Sequence, residues 1–321
     1  MSTQVDAVGN HKILLIGADG QVGQELRKTL PNLGVVSALG RQQLDLTDLD
    51  AITQQIQSAA PTLIVNAAAY TAVDKAESEP ELAQRINVEA PGAMAAAAAK
   101  CGASLVHIST DYVFEGSAGS PRCETDATGP LSVYGKTKLD GEAAIRAALD
   151  QHIILRTAWV YGTQGKGNFL KTMLRLGKDR DELNVVADQV GAPTWARDIA
   201  EAIGQLAGQL GSSSRSSSGS SSGTQITEVP GTYHFTNSGV ASWYDFAIAI
   251  FEEARALGVP LQIQRVNPIT TADYPTPAKR PAASILNCQE ISRTLGHTPP
   301  HWRASLRAML QEFVESQSMT A

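Results

Sequence analysis

The sequence predicts an α/β fold: a doubly wound parallel sheet followed by a smaller, discontinuous second part. Three observations predict it. Apolar runs at residues 12–16, 35–39, 62–67, 104–109 and 152–156 alternate with helical stretches five times over, the pattern of parallel strands joined by crossover helices. The first run passes straight into a glycine-rich turn, residues 17–23 (GADGQVG), of the kind that lets a backbone approach a pyrophosphate. Beyond residue 160 the alternation becomes irregular, as expected where a Rossmann-like half gives way to a different arrangement. The expected division is therefore 11–160 for the dinucleotide-binding part, with segments returning near 185–236, and 161–184 with 237–300 for a substrate-binding part.

Taken in order, the strand at 12–16 ends at Gly17, Gly20 and Gly23, whose spacing serves the tight bend and aims the following helix N-terminus at negative charge. The strand at 35–39 ends at Gly40 and Arg41, with no acidic residue for a ribose diol, so Arg41 points to the 2′-phosphate of NADPH. Asp45 then precedes a helix capped by Thr47 or Asp48, and is suited either to an adenine amino group or to local capping. The strand at 62–67 ends in small residues that let a cofactor lie flat. A long alanine-rich helix follows within 73–99, containing Asn87.

The strand at 104–109 leads into Ser109, Thr110 and Asp111, and the helix over 132–148 carries Tyr134 and Lys138. Four residues apart, these two share a helix face, so the lysine charge can act on the phenol. Bringing a tyrosine from about 10 toward neutrality takes roughly 2 to 3 units, or about 3 to 4 kcal/mol. Thr110, at the C-terminal end of a parallel strand, can bind a carbonyl oxygen at the same place.

After the strand at 152–156, Trp159 precedes a helix from 168 to 176, a strand and turn over 185–194, and a helix from 195 to 210. Residues 211–223 form a Ser/Gly-rich spacer that cannot bury a core and reads as a surface insertion. A strand at 232–236, a serine-capped helix over 242–256, a strand near 261–266 and helices near 288–295 and 302–315 complete the chain.

Composition narrows the partners. Of the 321 residues, 43% are hydrophobic and 18% charged, the balance of a globular protein. A net charge of −6 without a basic run argues against nucleic acid. Cys101, Cys123 and Cys288 are too few and too scattered for a disulfide framework, which fits a reducing compartment. With no signal-like start and no apolar run long enough to cross a bilayer, the expectation is a cytoplasmic protein with no membrane partner.

The motifs at 17–23, 66–77 (NAAAYTAVDKAE), 109–114 (STDYVF), 133–139 (VYGKTKL), 156–161 (RTAWVY), 188–194 (DQVGAPT) and 274–281 (YPTPAKRP) together resemble the extended short-chain dehydrogenase/reductases. Within them the chain resembles the dTDP-4-dehydrorhamnose reductase group, over nearly its whole length. The resemblance implies reduction of a 4-keto nucleotide sugar by NADPH or NADH, the last step of dTDP-rhamnose biosynthesis. It implies Tyr134 as proton donor, Lys138 as holder of the nicotinamide ribose, and Thr110 at the reacting oxygen. It also implies cofactor contacts from Gly20, Gln21 and Val22 to the phosphates, from Asp45 and Leu46 to the adenine side, and from Ala69, Tyr70 and Thr71 to the ribose and nicotinamide. Thr110, Asp111 and Trp159 would face the sugar; Asn168 and Arg280 would meet the nucleotide diphosphate.

Some relatives bind magnesium at a homodimer contact. Here Glu25 and Glu312 stand at suitable positions, but Arg197 replaces a carboxylate between them, so the sequence assigns no metal ligand and leaves Mg2+ doubtful. Two alternatives stay open: an epimerase or dehydratase of another nucleotide sugar, and a non-catalytic regulatory homologue of the kind that accompanies methionine adenosyltransferase. Retention of Thr110, Tyr134 and Lys138 argues against the second.

Overall fold

The computed structural model describes residues 11–117, 119–165, 167–210 and 229–318; the serine-rich stretch 211–223 lies outside the described residues. Six strands form one sheet: β1 (His11–Ile16), β2 (Gly34–Leu39), β3 (Leu63–Asn66), β4 (Ser104–Thr110), β5 (His152–Thr157) and β6 (Gly231–His234). Their spatial order is β2-β1-β3-β4-β5-β6, and every pairing is parallel. The chain runs outward from β1 to β2, then returns to the other side at β3. This reversal opens a crevice at the carboxyl ends of β1 and β3.

Strand side chains alternate between the two faces, and each face is buried. Ile13, Leu15, Val65, Val106 and Leu155 pack with Leu26, Ile199 and Ile203 from the helices Gln21–Thr29 and Ala196–Leu210. Leu14, Ile16, Ile64, Leu105 and Ile154 pack on the other side with Ile52, Met94 and Ile145 from Leu49–Ala59, Ala90–Cys101 and Val133–Ala148. A separate core gathers Tyr161, Leu170, Met173, Trp195, Phe246, Ile250, Trp302 and Leu306, all later in the chain.

The expected caps at Asp48 and Ser242 are in place, each accepting a first-turn amide, and Ser132 and Asn168 cap their own helices in the same way. Two elements differ from expectation. The long helix over 73–99 is divided into Val73–Ala76, Pro80–Gln84, a π turn at Arg85–Glu89, and Ala90–Cys101. Pro80 and Pro91 cannot donate an intrahelical bond, and the Ala90 amide reaches back five residues to the Arg85 carbonyl. The strand expected at 261–266 runs instead over Arg265–Ile269, paired with Glu182–Val186. The apolar residues just before it are taken by the later core, where Ile263 is buried.

Candidate active site

The crevice is built from three chain reversals at strand ends. At β1, Gly17 has φ +84, and a Cβ there would lie 2.6 Å from the Ala68 amide nitrogen, so only glycine fits. Gly20 caps the Gln21–Thr29 helix with no side-chain bond, and no acid stands in the first turn. The amides of Gln21, Val22 and Gly23, in the first turn, therefore lack intrahelical acceptors, the arrangement of an anion-binding turn. This uncapped cradle fits a dinucleotide pyrophosphate. Leu46 is buried, and Asp45 accepts the Thr47 amide at 3.0 Å, a bond that lowers its pKa. Arg41 is exposed on the turn after β2, close enough for its charge to reach Asp45.

Sequence reasoning finds no carboxylate at the end of β2, but the fold supplies one. A Cβ on Gly40 would lie 1.8 Å from Asp19 Oδ2, so the Asp19 carboxylate occupies the space where a side chain at position 40 would begin. The readable signal is indirect: a glycine at 40 opposite an acid in the glycine turn.

At β3, residues 67–71 are clamped to the catalytic-type helix by Asn87. Its Oδ1 accepts the Tyr70 amide at 2.9 Å, and its Nδ2 donates to the Tyr70 carbonyl at 3.2 Å and to Thr137 Oγ1 at 3.1 Å. The Tyr70 phenol, hydrogen-bonded to Glu79, is pushed up to about 12 by that bond. Asn87 read as an ordinary helix residue in the sequence; only the π turn that turns it inward gives it this role.

At β4, Thr110, Asp111, Tyr134 and Lys138 come together, all buried. Thr110 Oγ1 donates to Asp111 Oδ1 at 3.0 Å and accepts the Tyr112 amide at 3.2 Å. Burial pushes the Tyr134 phenol up to about 12, against a hydrogen bond with Thr110 and with the Asp111 charge adding to the rise. The expected depression toward neutrality is therefore not what the structure has. The reason is geometric: Lys138 Nζ is turned to His107 Nε2 at 3.0 Å and the Ile108 carbonyl at 2.8 Å. Burial draws Lys138 down to about 8, with Glu142 opposing. Asp111 is raised to about 6 by burial, against bonds from Ser284 and Thr110.

Glu142, one turn beyond Lys138, is fully buried and held by Ser109 Oγ at 2.6 Å and by Arg156 at 2.7 and 2.9 Å. Trp159, at the end of β5, has φ +49, a strained value for a side-chain-bearing residue. Its ring stacks on Trp243 with centroids 3.5 Å apart, over Gly191, where a Cβ would meet it at 2.6 Å.

Two expected ligands of the diphosphate are otherwise engaged. Asn168 caps the Phe169–Asp179 helix and donates to Gln21 Oε1 at 2.7 Å and the Gly162 carbonyl at 2.9 Å, so it braces the glycine turn. Arg280 pairs with Asp74 at 2.8 and 3.0 Å, close enough to Tyr112 to perturb it, and Tyr112 packs edge-on to Tyr134 at 5.4 Å. Arg197 lies between Glu25, at 3.5 Å, and Glu312, at 2.7 Å, so these carboxylates already share a cation and do not fit magnesium. Among the described residues no group of three or more His, Cys, Asp or Glu is placed to hold a metal.

The family model described as the RmlD substrate binding domain matches residues 11–315. The chain is 44% identical over 304 residues to dTDP-4-dehydrorhamnose reductase of Escherichia coli K12, covering 94% of this chain and 97% of that one. It is 43% identical over 305 residues to the protein of the same name from Burkholderia thailandensis, covering 94% and 99%. Among solved structures, a dTDP-4-dehydrorhamnose reductase from Clostridium acetobutylicum superposes with TM-score 0.82 at 39% identity, covering 94% of this chain and 99% of that one. One from Bacillus anthracis, in complex with NADP, gives 0.83 at 34%, with the same coverage. With a family model spanning nearly all of it and relatives this close over their full length, the chain belongs to the RmlD family, that of the dTDP-4-dehydrorhamnose reductases.

Proposed function

We propose that this chain reduces the 4-keto group of dTDP-4-dehydro-β-L-rhamnose, giving dTDP-L-rhamnose, with NADPH or NADH as reductant. The observation that carries the reading is the meeting of Thr110, Tyr134 and Lys138 at the strand ends beside the uncapped turn at 17–23, in a chain of this family. The nicotinamide cofactor supplies the hydride when bound.

The chain's own residues supply the rest. The amides of Gln21, Val22 and Gly23 would hold the pyrophosphate, with Gly17 keeping the turn close to Ala68. Asp19, Arg41, Asp45 and Leu46 would surround the adenosine end, and Ala69, Tyr70 and Thr71 the nicotinamide end. Tyr134 gives its proton to the sugar oxygen; a phenol held up to about 12 is fully protonated in the working range, the state an acid needs. Thr110, hydrogen-bonded with that phenol, positions the same oxygen. Lys138 would hold the ribose, and in its ammonium form, below about 8, its charge would favour the phenolate that proton transfer leaves. Trp159 and Asp111 would line the sugar, while Arg280 and Asn168 act at the edge of the diphosphate and behind the phosphate turn.

The test is substrate-dependent loss of NADPH absorbance with enzymatically generated dTDP-4-dehydro-L-rhamnose, and identification of dTDP-L-rhamnose as product. No substrate-dependent oxidation would overturn the reading. The resemblance further implies a homodimer, which sedimentation velocity checks, and a cytoplasmic site of action, where the nucleotide sugar is made. Among the described residues no helix is long and apolar enough to cross a membrane.

A further inference from the structure

Lys138 ends a buried hydrogen-bond chain in which each donor fixes the next. Asn66 closes β3, and its Oδ1 accepts the Ala68 amide at 3.0 Å. Its Nδ2, which can only donate, therefore faces His107 Nδ1 at 3.0 Å. Nδ1 must carry the lone pair, so a neutral imidazole has its proton on Nε2. That nitrogen lies 3.0 Å from Lys138 Nζ. An ammonium has no lone pair to accept it; an amine does. The amine still has hydrogens for the Ile108 carbonyl at 2.8 Å.

A doubly protonated ring is disfavoured, because complete burial, together with Lys138, holds the His107 pKa well below the ordinary histidine range. The charged lysine would require the opposite set of bonds: a lone pair on Nε2, a proton on Nδ1, and Asn66 turned so that its Oδ1 faces the ring. The Ala68 amide would then face an NH2 group. Ala68 is the residue whose backbone is packed against Gly17 in the phosphate turn.

We propose that His107 is a positioning residue of the reductase site: its Nε2–H donates to Lys138 and biases that side chain to the neutral amine, while Asn66 ties the choice to the Ala68 backbone beside the phosphate turn. The functional weight of this inference rests on the catalytic reading of Lys138; its geometry does not. Besides His107, the charged group that acts on the lysine is Glu142 on its own helix, itself bound by Arg156 from β5. Asn87, from the π turn, is uncharged and bonded to Thr137. Of these, Glu142 favours the charged lysine. Gaining the proton thus costs a rearrangement at Asn66, so proton uptake by Lys138 and ligand seating at the turn influence each other reciprocally.

The test is 15N NMR of the full chain labelled at histidine and lysine, with His107 and Lys138 assigned by signals lost in His107→Gln and Lys138→Met. At about pH 9, above the lysine value of about 8, His107 is expected as the Nε2–H tautomer, with Lys138 as an amine. On acidification both signals should move in one shared titration. Asn66→Asp supplies only acceptors to His107 Nδ1, so it should reverse the tautomer and raise the lysine titration by about one unit or more. In the reductase assay, the same variant should carry the high-pH limb of kcat/KM upward. A merely structural role would lower kcat at every pH and leave that limb in place. An Nδ1–H tautomer in the unmodified protein overturns the proposal, as does an unchanged tautomer in a folded Asn66→Asp. Should that variant not fold, the wild-type tautomer decides alone. None of the spectra needs substrate, so a failed reductase assay and a failed proposal are separately visible.

Discussion

Replacing Lys138 by Met removes a titratable group whose burial the fold resists, and the consequence is a pH-dependent difference in stability. The side chain is 1% exposed, and its folded value of about 8 lies below the 10.5 of a free lysine. Between those two values the unfolded chain binds the proton that the folded chain gives up, so wild-type stability rises with pH across that window. Below about 8 the penalty is present in full, about 3 kcal/mol; above about 10.5 it has vanished. Met fills a similar volume without a charge, but leaves the Ile108 carbonyl and His107 without their partner, a loss of about 1 to 3 kcal/mol at any pH. The absolute stabilities of the two proteins at about pH 7 should therefore be close, since the two effects nearly cancel. Their difference is the informative quantity. In urea unfolding curves followed by circular dichroism, wild type should gain about 2 kcal/mol on the variant between about pH 7 and about pH 9.5. A difference that stays flat over that interval would refute the reasoning, because it would mean that Lys138 titrates like a free lysine and that its burial shifts nothing.

Four further outcomes follow from the same geometry. Tyr134→Phe keeps the edge-on packing with Tyr112 but removes the acid, so kcat should fall by roughly 10²–10⁴ with cofactor affinity, measured by fluorescence quenching, nearly unchanged. Glu142→Gln leaves Arg156, 3% exposed, as an uncompensated cation, and should cost about 3–5 kcal/mol in denaturant unfolding; a loss under about 1 kcal/mol would mean the pair is replaceable. Asp19→Ser removes the carboxylate over Gly40 and should raise the kcat/KM ratio of NADPH to NADH by roughly fivefold to tenfold, which steady-state assays with both cofactors would show. Gly191→Ala brings a Cβ to within 2.6 Å of the Trp159 ring, so the KM for the nucleotide sugar should rise severalfold while the KM for NADPH stays put; equal changes in both would place the damage in the fold instead.

What could be read from the sequence follows the range over which each signal acts. The strands β1, β3, β4 and β5 show as apolar runs because a parallel sheet covered on both faces leaves no polar face to interrupt them. Tyr134 and Lys138 show because a helix face is a local property, and Asp48 and Ser242 show because caps act within one turn. Asn87, His107 and Asp19 could not be found that way. Each acts on a residue distant in the chain: Asn87 on Tyr70 and Thr137, His107 on Asn66 and Lys138, and Asp19 on Gly40. Their partners are chosen by strand order, and strand order is not a periodic signal. The break at 85–89 was hidden for a related reason, since Pro91 is compatible with the first turn of a new helix and only the Ala90 amide reaching Arg85 reveals the π turn.

The same separation explains how the site tolerates its own cost. Tyr134, Lys138, Asp111 and His107 are all buried and all shifted against their charged forms, which a small isolated cluster would relieve by opening to water. Here they cannot open independently. β4 carries His107, Thr110 and Asp111 in the middle of the sheet, between β3 and β5, with one core above it and another below. The helix carrying Tyr134 and Lys138 is fixed to that strand by Ser109 and Glu142, to β5 by Arg156, and to the segment at 67–71 by Asn87. Relaxing the desolvated lysine would thus mean breaking a buried ion pair and parting two layers, which costs several kcal/mol more than it returns. The strain is held by cooperativity with the whole sheet, and substitutions at Asn87 should therefore loosen the site and raise the Lys138 titration toward that of an exposed lysine before they unfold the domain.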